Sequence, residues 1–135
     1  LDQPFFNAST FHPPATLQAQ LRLLPEIARL GHARAAKDVS NGGLVGTLQM
    51  LCASSRVGAE LELEHLPRPD RVSLHDWLLT FPSYGFLLAL PPGREEAAAS
   101  LFQPRGIACR PIGHFTAEPG IRMRSGGESA LLSFG

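Results

Sequence analysis

Apolar and polar positions change period several times along the chain, and each change marks an element. Thr16 opens a helical pattern with Leu17, Leu21, Leu24 and Ala28 on one face, ending near Gly31. Pro25 falls inside that pattern, so a kink or two short helices in succession are expected. Ala33 to Val39 is short and mostly apolar, as a strand would be, and Ser40-Asn41-Gly42-Gly43 follows it as a turn. From Leu44 the spacing is helical again, through Leu48, Leu51 and Cys52. Val57, Ala59, Leu61 and Leu63 alternate with Gly58, Glu60 and Glu62, the period of a half-buried strand.

Beyond the proline-rich link Leu66-Pro67-Arg68-Pro69, Ser73 caps a short helix reaching Thr80. Phe86 to Leu90 is uninterrupted apolar sequence, which predicts a central strand buried on both faces. Pro91-Pro92-Gly93 stops it, and a helix from about Arg94 to Phe102 closes before Gly106. Ile107 to Phe115 reads as a further strand, with Pro111 placing it near an edge or a bulge. Residues 120–124 and 130–134 pair as a hairpin across Ser125-Gly126-Gly127. The expected fold class is α+β: a mixed, mostly antiparallel sheet with helices packed mainly on one face. Residues 15–135 form one domain in this reading. Residues 1–14, with Pro4, Pro13, Pro14 and Phe5, Phe6, Phe11, form an irregular leader. That leader is either disordered or laid across another domain's surface, and its phenylalanines would mark the docking place.

Composition narrows the class. The 135 residues are enough for one domain with a real core and short for two. Hydrophobic residues at 44% and charged ones at 18% make a globular balance. Twelve basic residues against twelve acidic ones leave no global field toward nucleic acid or an anionic membrane. No apolar run approaches the roughly 20 residues of a membrane helix, and no secretory signal pattern opens the chain. Leu1-Asp2-Gln3-Pro4 reads like the middle of a longer protein. Cys52 and Cys109 lie far apart without metal-like spacing, so reduced thiols in a cytoplasmic protein are expected.

The chemistry concentrates at the glycine turn. Ser40 and Asn41 are good helix-capping residues, and Gly42-Gly43 permits a tight bend. A helix N-terminus presents unpaired N–H groups and the positive end of the dipole, and glycines let an anion come close. Phosphate or a phosphorylated substrate is the natural ligand of such a turn; a plain helix cap is the other reading.

Lys37-Asp38-Val39-Ser40-Asn41-Gly42-Gly43-Leu44 resembles the Asp-[Ile/Val]-Ser-x-Gly-Gly-Leu signature in the C-terminal domain of the AIR synthetase-related superfamily. That group includes aminoimidazole ribonucleotide synthetase, formylglycinamide ribonucleotide amidotransferase, selenophosphate synthetase, thiamine-monophosphate kinase and a hydrogenase-maturation protein. The resemblance continues through Val57-Gly58-Ala59-Glu60-Leu61, Tyr84-Gly85-Phe86-Leu87-Leu88-Ala89-Leu90, Gly106-Ile107 and Ile112-Gly113-His114-Phe115, and covers about residues 15–124 in order. Gly46 to Leu51 and Trp77 to Phe86 look like a less characterised branch, the AIR synthase-related proteins.

The resemblance implies ATP-dependent chemistry by phosphoryl transfer. An N-terminal domain, absent from this chain, would supply most of the Mg2+- and ATP-binding acids and pair with its twin in a homodimer. The C-terminal domain would close the cleft and hold phosphate or a phosphorylated small molecule, and alone it would be inactive. The expected binding residues are Lys37, Asp38, Ser40, Asn41, Gly42 and Gly43. Lys37 either neutralises phosphate charge or points to solvent. Ser40 either donates to the anion or caps the helix. Asp38 repels phosphate unless a metal or Lys37 intervenes, so it orients the turn. Asn41 departs from the commoner acidic or small residue at its place. Ser83, Tyr84 and Gly85 either face the same cleft or only turn the chain into the next strand.

Other residues carry blander readings. His75 and His114 are the tempting acid–base groups by residue type but lack triad-like or metal-like neighbours in sequence, and no metal site is expected. His12, His32 and His65 fall in links, and Arg122 and Arg124 mark a solvated strand face. Cys109 next to Arg110 is expected to be a quiet strand thiol. Three functions stay open: part of an ATP-dependent ligase or kinase-like enzyme, a non-catalytic anion-binding or subunit-assembly module, and a purely structural dimerisation domain.

Overall fold

The computed structural model describes residues 11–81 and 85–133. Helix α1 (Pro14–Leu21) starts with a proline in its first turn, where the missing N–H is no loss. It begins ahead of Thr16, and Pro13 stands at its cap without a side-chain bond. Helix α2 (Leu23–Arg29) follows after Arg22, which closes one helix and opens the other. Pro25 is the reason for the break. Its ring occupies the space that the Leu21 carbonyl would need in a continuous helix, whereas in the first turn of α2 it is tolerated.

Strand β1 (Ala35–Asp38) leads through the glycine turn into helix α3 (Gly43–Ser55). Arg56 ends α3 in the left-handed conformation at φ 55°, and the Val57 N–H reaches back to the Cys52 carbonyl at 3.1 Å. That is a Schellman-type closure built on a residue other than glycine. Strand β2 (Gly58–Glu62) runs into a 3₁₀ turn at Leu63–His65. Helix α4 (Leu74–Leu79) is capped by Ser73 as expected, its Oγ accepting the Asp76 N–H at 3.0 Å. Strand β3 (Phe86–Ala89) and helix α5 (Glu95–Phe102) follow, then a 3₁₀ turn at Gln103–Arg105. Strands β4 (Gly113–Thr116), β5 (Ile121–Ser125) and β6 (Glu128–Leu132) complete the described chain.

The class is α+β, and among the described strands only the β2–β5 pairing is parallel. The strands divide into two sheets, however, where one was expected: β1 with β3, and a four-stranded sheet in the order β4-β2-β5-β6. Among the described residues β3 pairs with β1 alone, so the apolar run 86–90 is not a central strand there, and along β3 only Leu87 is buried. An apolar run reports burial of side chains and leaves the number of hydrogen-bonded neighbours open. Ile107 to Ile112 lies outside any strand; of the expected 107–115 strand only 113–115 forms, and β4 runs on to Thr116. Pro111 has no N–H to give to a ladder.

Alternation along β2 sorts the two faces of the larger sheet. Ala59 and Leu61 join Ile121 of β5 and Leu48, Leu51 and Cys52 of α3 in the main core. The opposite face carries Glu60 and Glu62 in register with Arg122 and Arg124. Glu60 lies 2.8 Å from Arg124 and 3.6 Å from Arg122, so the basic pair is matched by acids across the parallel strands. The β5–β6 hairpin turns through Gly126-Gly127, at φ 56° and 85°, which fits a two-residue type I′ turn. A smaller core joins Leu23 and Ile27 of α2 to Phe102 of α5.

Candidate functional site

The turn between β1 and α3 is tied into the fold from both sides. Before it, the Val39 N–H donates to the Gly85 carbonyl at 2.8 Å, extending the β1–β3 ladder and setting Gly85 beside the turn. Within it, the Gly43 N–H donates to the Ser40 carbonyl at 2.8 Å, and the Ser40 N–H reaches Thr47 Oγ1 at 3.4 Å. Gly42 stands at the cap position, and no side chain caps the helix. Ser40 and Asn41 thus do not act as the side-chain caps their residue types predict. Among the described residues the Ser40 hydroxyl makes no hydrogen bond, and the amides of Leu44 and Val45 have no backbone acceptor.

The two glycines differ. Gly42 is exposed, whereas Gly43 is buried at φ +62°, against the end of α4. A Cβ at Gly43 would collide with the Leu78 carbonyl oxygen and lie 2.8 Å from the Leu79 Cα. Packing of α3 against α4 therefore requires glycine there, independently of any ligand. Its amide is also already bonded.

Charge at the turn is nearly balanced. Lys37 Nζ lies 3.9 Å from Asp38 Oδ1, a partly exposed pair of neighbours on β1. Asn41 is exposed and neutral. Asp38 is the turn's one carboxylate, and among the described residues no group of three His, Cys, Asp or Glu side chains is placed to hold a metal.

A cavity of about 690 Å³ lies between the two sheets, and Val39, Leu44 and Gly85 bring its wall up to the turn. Lys37, Asp38, Ser40, Asn41, Gly42 and Gly43 do not line it; Trp77, Leu87, Phe102, Arg110 and Ile112 do. These lining residues were not legible as a site, because they come from distant segments and the apolar ones fit an ordinary core pattern. Ser83 and Tyr84 lie outside the described residues.

The remaining titratable groups are dispersed. His75 sits in the α4 cap, 3.3 Å from Asp76 Oδ1, and His114 stands on β4 opposite Glu60. The Ser73 hydroxyl, and then His75, hold the Asp76 carboxyl below its usual range. Both cysteines are free thiols, and burial pushes each of them up, Cys109 included in spite of its neighbour Arg110.

A family model described as the C-terminal domain of AIR synthase related protein matches residues 3–126. The chain belongs to this family. An uncharacterized protein of Synechocystis sp. is 38% identical to this AIR synthase-related domain over 129 residues, covering 94% of the chain. The domain spans 39% of that relative's length. Thermotoga maritima PurL, solved with FGAR, superposes with a TM-score of 0.77 at 16% identity, over 90% of the domain and 20% of PurL. The hydrogenase maturation protein HypE, solved with ATP, gives 0.71 at 20% identity, over 83% and 39% of the two chains. At these identities the superpositions establish a shared fold.

Proposed function

We propose that this domain serves as the C-terminal part of an ATP-dependent phosphoryl-transfer protein, holding phosphate or a phosphorylated small molecule at the glycine turn. The observation that carries this reading is the start of the thirteen-residue helix α3. Two first-turn amides there, at Leu44 and Val45, lack backbone acceptors next to an unbonded Ser40 hydroxyl. Those donors and the helix dipole suit an anion. In this arrangement Gly42 gives close access, Asn41 keeps the approach neutral, and Lys37 turns from Asp38 toward the ligand. Gly43 shapes the turn, and Asp38 holds Lys37 in place while the site is empty.

A partner N-terminal domain completes the cleft, with Gly85 on its border. ATP is the phosphoryl donor; T. maritima PurL and HypE, which share the fold, have both been solved with ATP. A single exposed carboxylate already paired with lysine is a poor Mg2+ site, so the metal's protein ligands belong to the N-terminal domain. When bound, the metal would neutralise charge on the transferring phosphate. The whole protein acts as a cytoplasmic homodimer, and the domain alone is inactive. A second reading, a non-catalytic subunit-assembly module, is favoured by the Lys37–Asp38 pair, since the carboxylate occupies the turn's cation.

Calorimetric titration with inorganic phosphate tests the binding claim. Asn41→Asp puts a charge beside the anion at a cost of about 1 kcal/mol, so affinity should fall about fivefold. Equal affinity in the wild type and the variant contradicts the site.

A further inference from the structure

Asn41 and Gly42 form the tip of the glycine turn, and the fold leaves their reactive atoms free. The Gly43 N–H donates to the Ser40 carbonyl at 2.8 Å, which makes Asn41 and Gly42 the two central residues of a closed four-residue turn. Gly42, at φ −79° and ψ 2°, has the angles of the third residue of a type I turn, whose own N–H takes no part in the closing bond. Both residues are exposed. Among the described residues the Gly42 N–H donates to nothing, and the Asn41 side-chain amide is also unbonded. An asparagine followed by glycine carries an electrophile and a nucleophile on adjacent residues. A five-membered ring closes when the next backbone nitrogen reaches the asparagine Cγ, and a Cβ beside that nitrogen would crowd the approach. Gly42 has no Cβ. The bond that must yield for the ring to close is the Gly43–Ser40 one, at the surface and at the very start of a helix, where local opening costs little.

We infer that the turn is a self-modification site, at which Asn41 deamidates in the folded chain through a cyclic imide. The Gly42 nitrogen gives its proton to solvent base and attacks Asn41 Cγ. The N–Cγ bond forms, the Cγ–Nδ2 bond breaks, and the side-chain nitrogen leaves as ammonia with a proton taken back from solvent. Water then opens the imide. Cleavage at Cγ leaves aspartate at position 41, and cleavage at the main-chain carbonyl leaves isoaspartate, with the chain rerouted through Cγ. Either product puts a carboxylate at the tip of the turn, beside the Lys37–Asp38 pair. Isoaspartate also adds a backbone atom between Ser40 and Gly43, which breaks the geometry of their closing bond. A consequence rests on the reading that this turn holds phosphate: the new charge repels the anion, so a fresh chain binds phosphate and an aged one binds it less well.

Peptide mass spectrometry on the folded 135-residue chain, held at mildly alkaline pH in phosphate-free buffer, is the test. The peptide containing residue 41 should gain the mass difference between oxygen and NH and become a substrate for isoaspartyl methyltransferase. The folded chain should react within about tenfold of the rate of the same chain unfolded in urea. Gly42→Ala restores a Cβ at the attacking residue and should slow the reaction about tenfold or more. Asn41→Gln, which would have to close a larger ring, should stay unmodified over the same period and keeps the tip neutral. A folded wild type slower than that limit, or Gly42→Ala reacting as fast as the wild type, overturns the inference. Titration of the fully converted chain with inorganic phosphate is read separately. A fall in affinity of about fivefold, as for Asn41→Asp, ties the modification to the anion site. Unchanged affinity after full conversion contradicts the anion reading and leaves the modification standing.

Discussion

At the scale of single residues, the glycines of the turn and of α3 separate two roles that look alike in the sequence. Gly43 adopts a left-handed φ against the Leu78 carbonyl, so Gly43→Ala should cost about 2–4 kcal/mol, read as a lower urea midpoint at unchanged slope. Gly46 lies inside α3, and a Cβ there meets nothing within 4 Å. Gly46→Ala should leave stability unchanged or raise it by about 0.5–1 kcal/mol. The thiols give a second prediction. Burial raises both above the ordinary 9.0, so the folded state keeps its thiol protons where the unfolded chain loses them. Their contribution is present below 9.0 and is lost as pH rises through the folded values. The urea midpoint should therefore fall between about pH 8 and pH 10, less steeply in Cys109→Ala. A flat profile would mean that neither thiol is held protonated by the fold. The turn's chemistry was legible from Asp38 to Leu44 because it is local. That Gly43 answers to Leu78 was not, since the contact lies some 35 residues away in sequence, and the pattern around Leu78 says only that a helix passes there.

Elements were read well where one signal decided them. Ser73 closes a reciprocal pair with Asp76, donating to its Oδ2 at 2.7 Å while accepting its N–H. Ser73→Ala should cost about 1 kcal/mol and let the Asp76 carboxyl titrate at higher pH, visible in its side-chain carbonyl shift. An unchanged Asp76 titration would remove the cap from the account. The Val57–Leu63 alternation and the Gly126-Gly127 turn translated directly into β2 and the β5–β6 hairpin. β3 and the 107–112 stretch did not. Hydrophobic period tells which face of a strand is buried, whereas strand partners depend on long-range docking that leaves no local mark. Pro111 pointed to a bulge or an edge; β4 is the outer strand of its sheet among the described strands, and it begins only after the proline.

For the whole molecule, a main core around α3, β2 and β5 supports two separate sheets, and the glycine turn stands where β1 and α3 meet beside the cavity between them. The family membership and the superpositions on PurL and HypE fit that architecture. The candidate site was half legible. The signature turn could be named from its residues, whereas the cavity joins Val39, Trp77, Phe102 and Phe115, which only the tertiary fold brings together. The central claim is that an anion sits on the first turn of α3, and an NMR titration of the chain with inorganic phosphate tests it at residue resolution. The account predicts saturable shifts of the Gly42, Leu44 and Val45 amides, weakened in Asn41→Asp, with Met123 of β5 unmoved. Shifts that do not saturate, or that centre away from this turn, would contradict it.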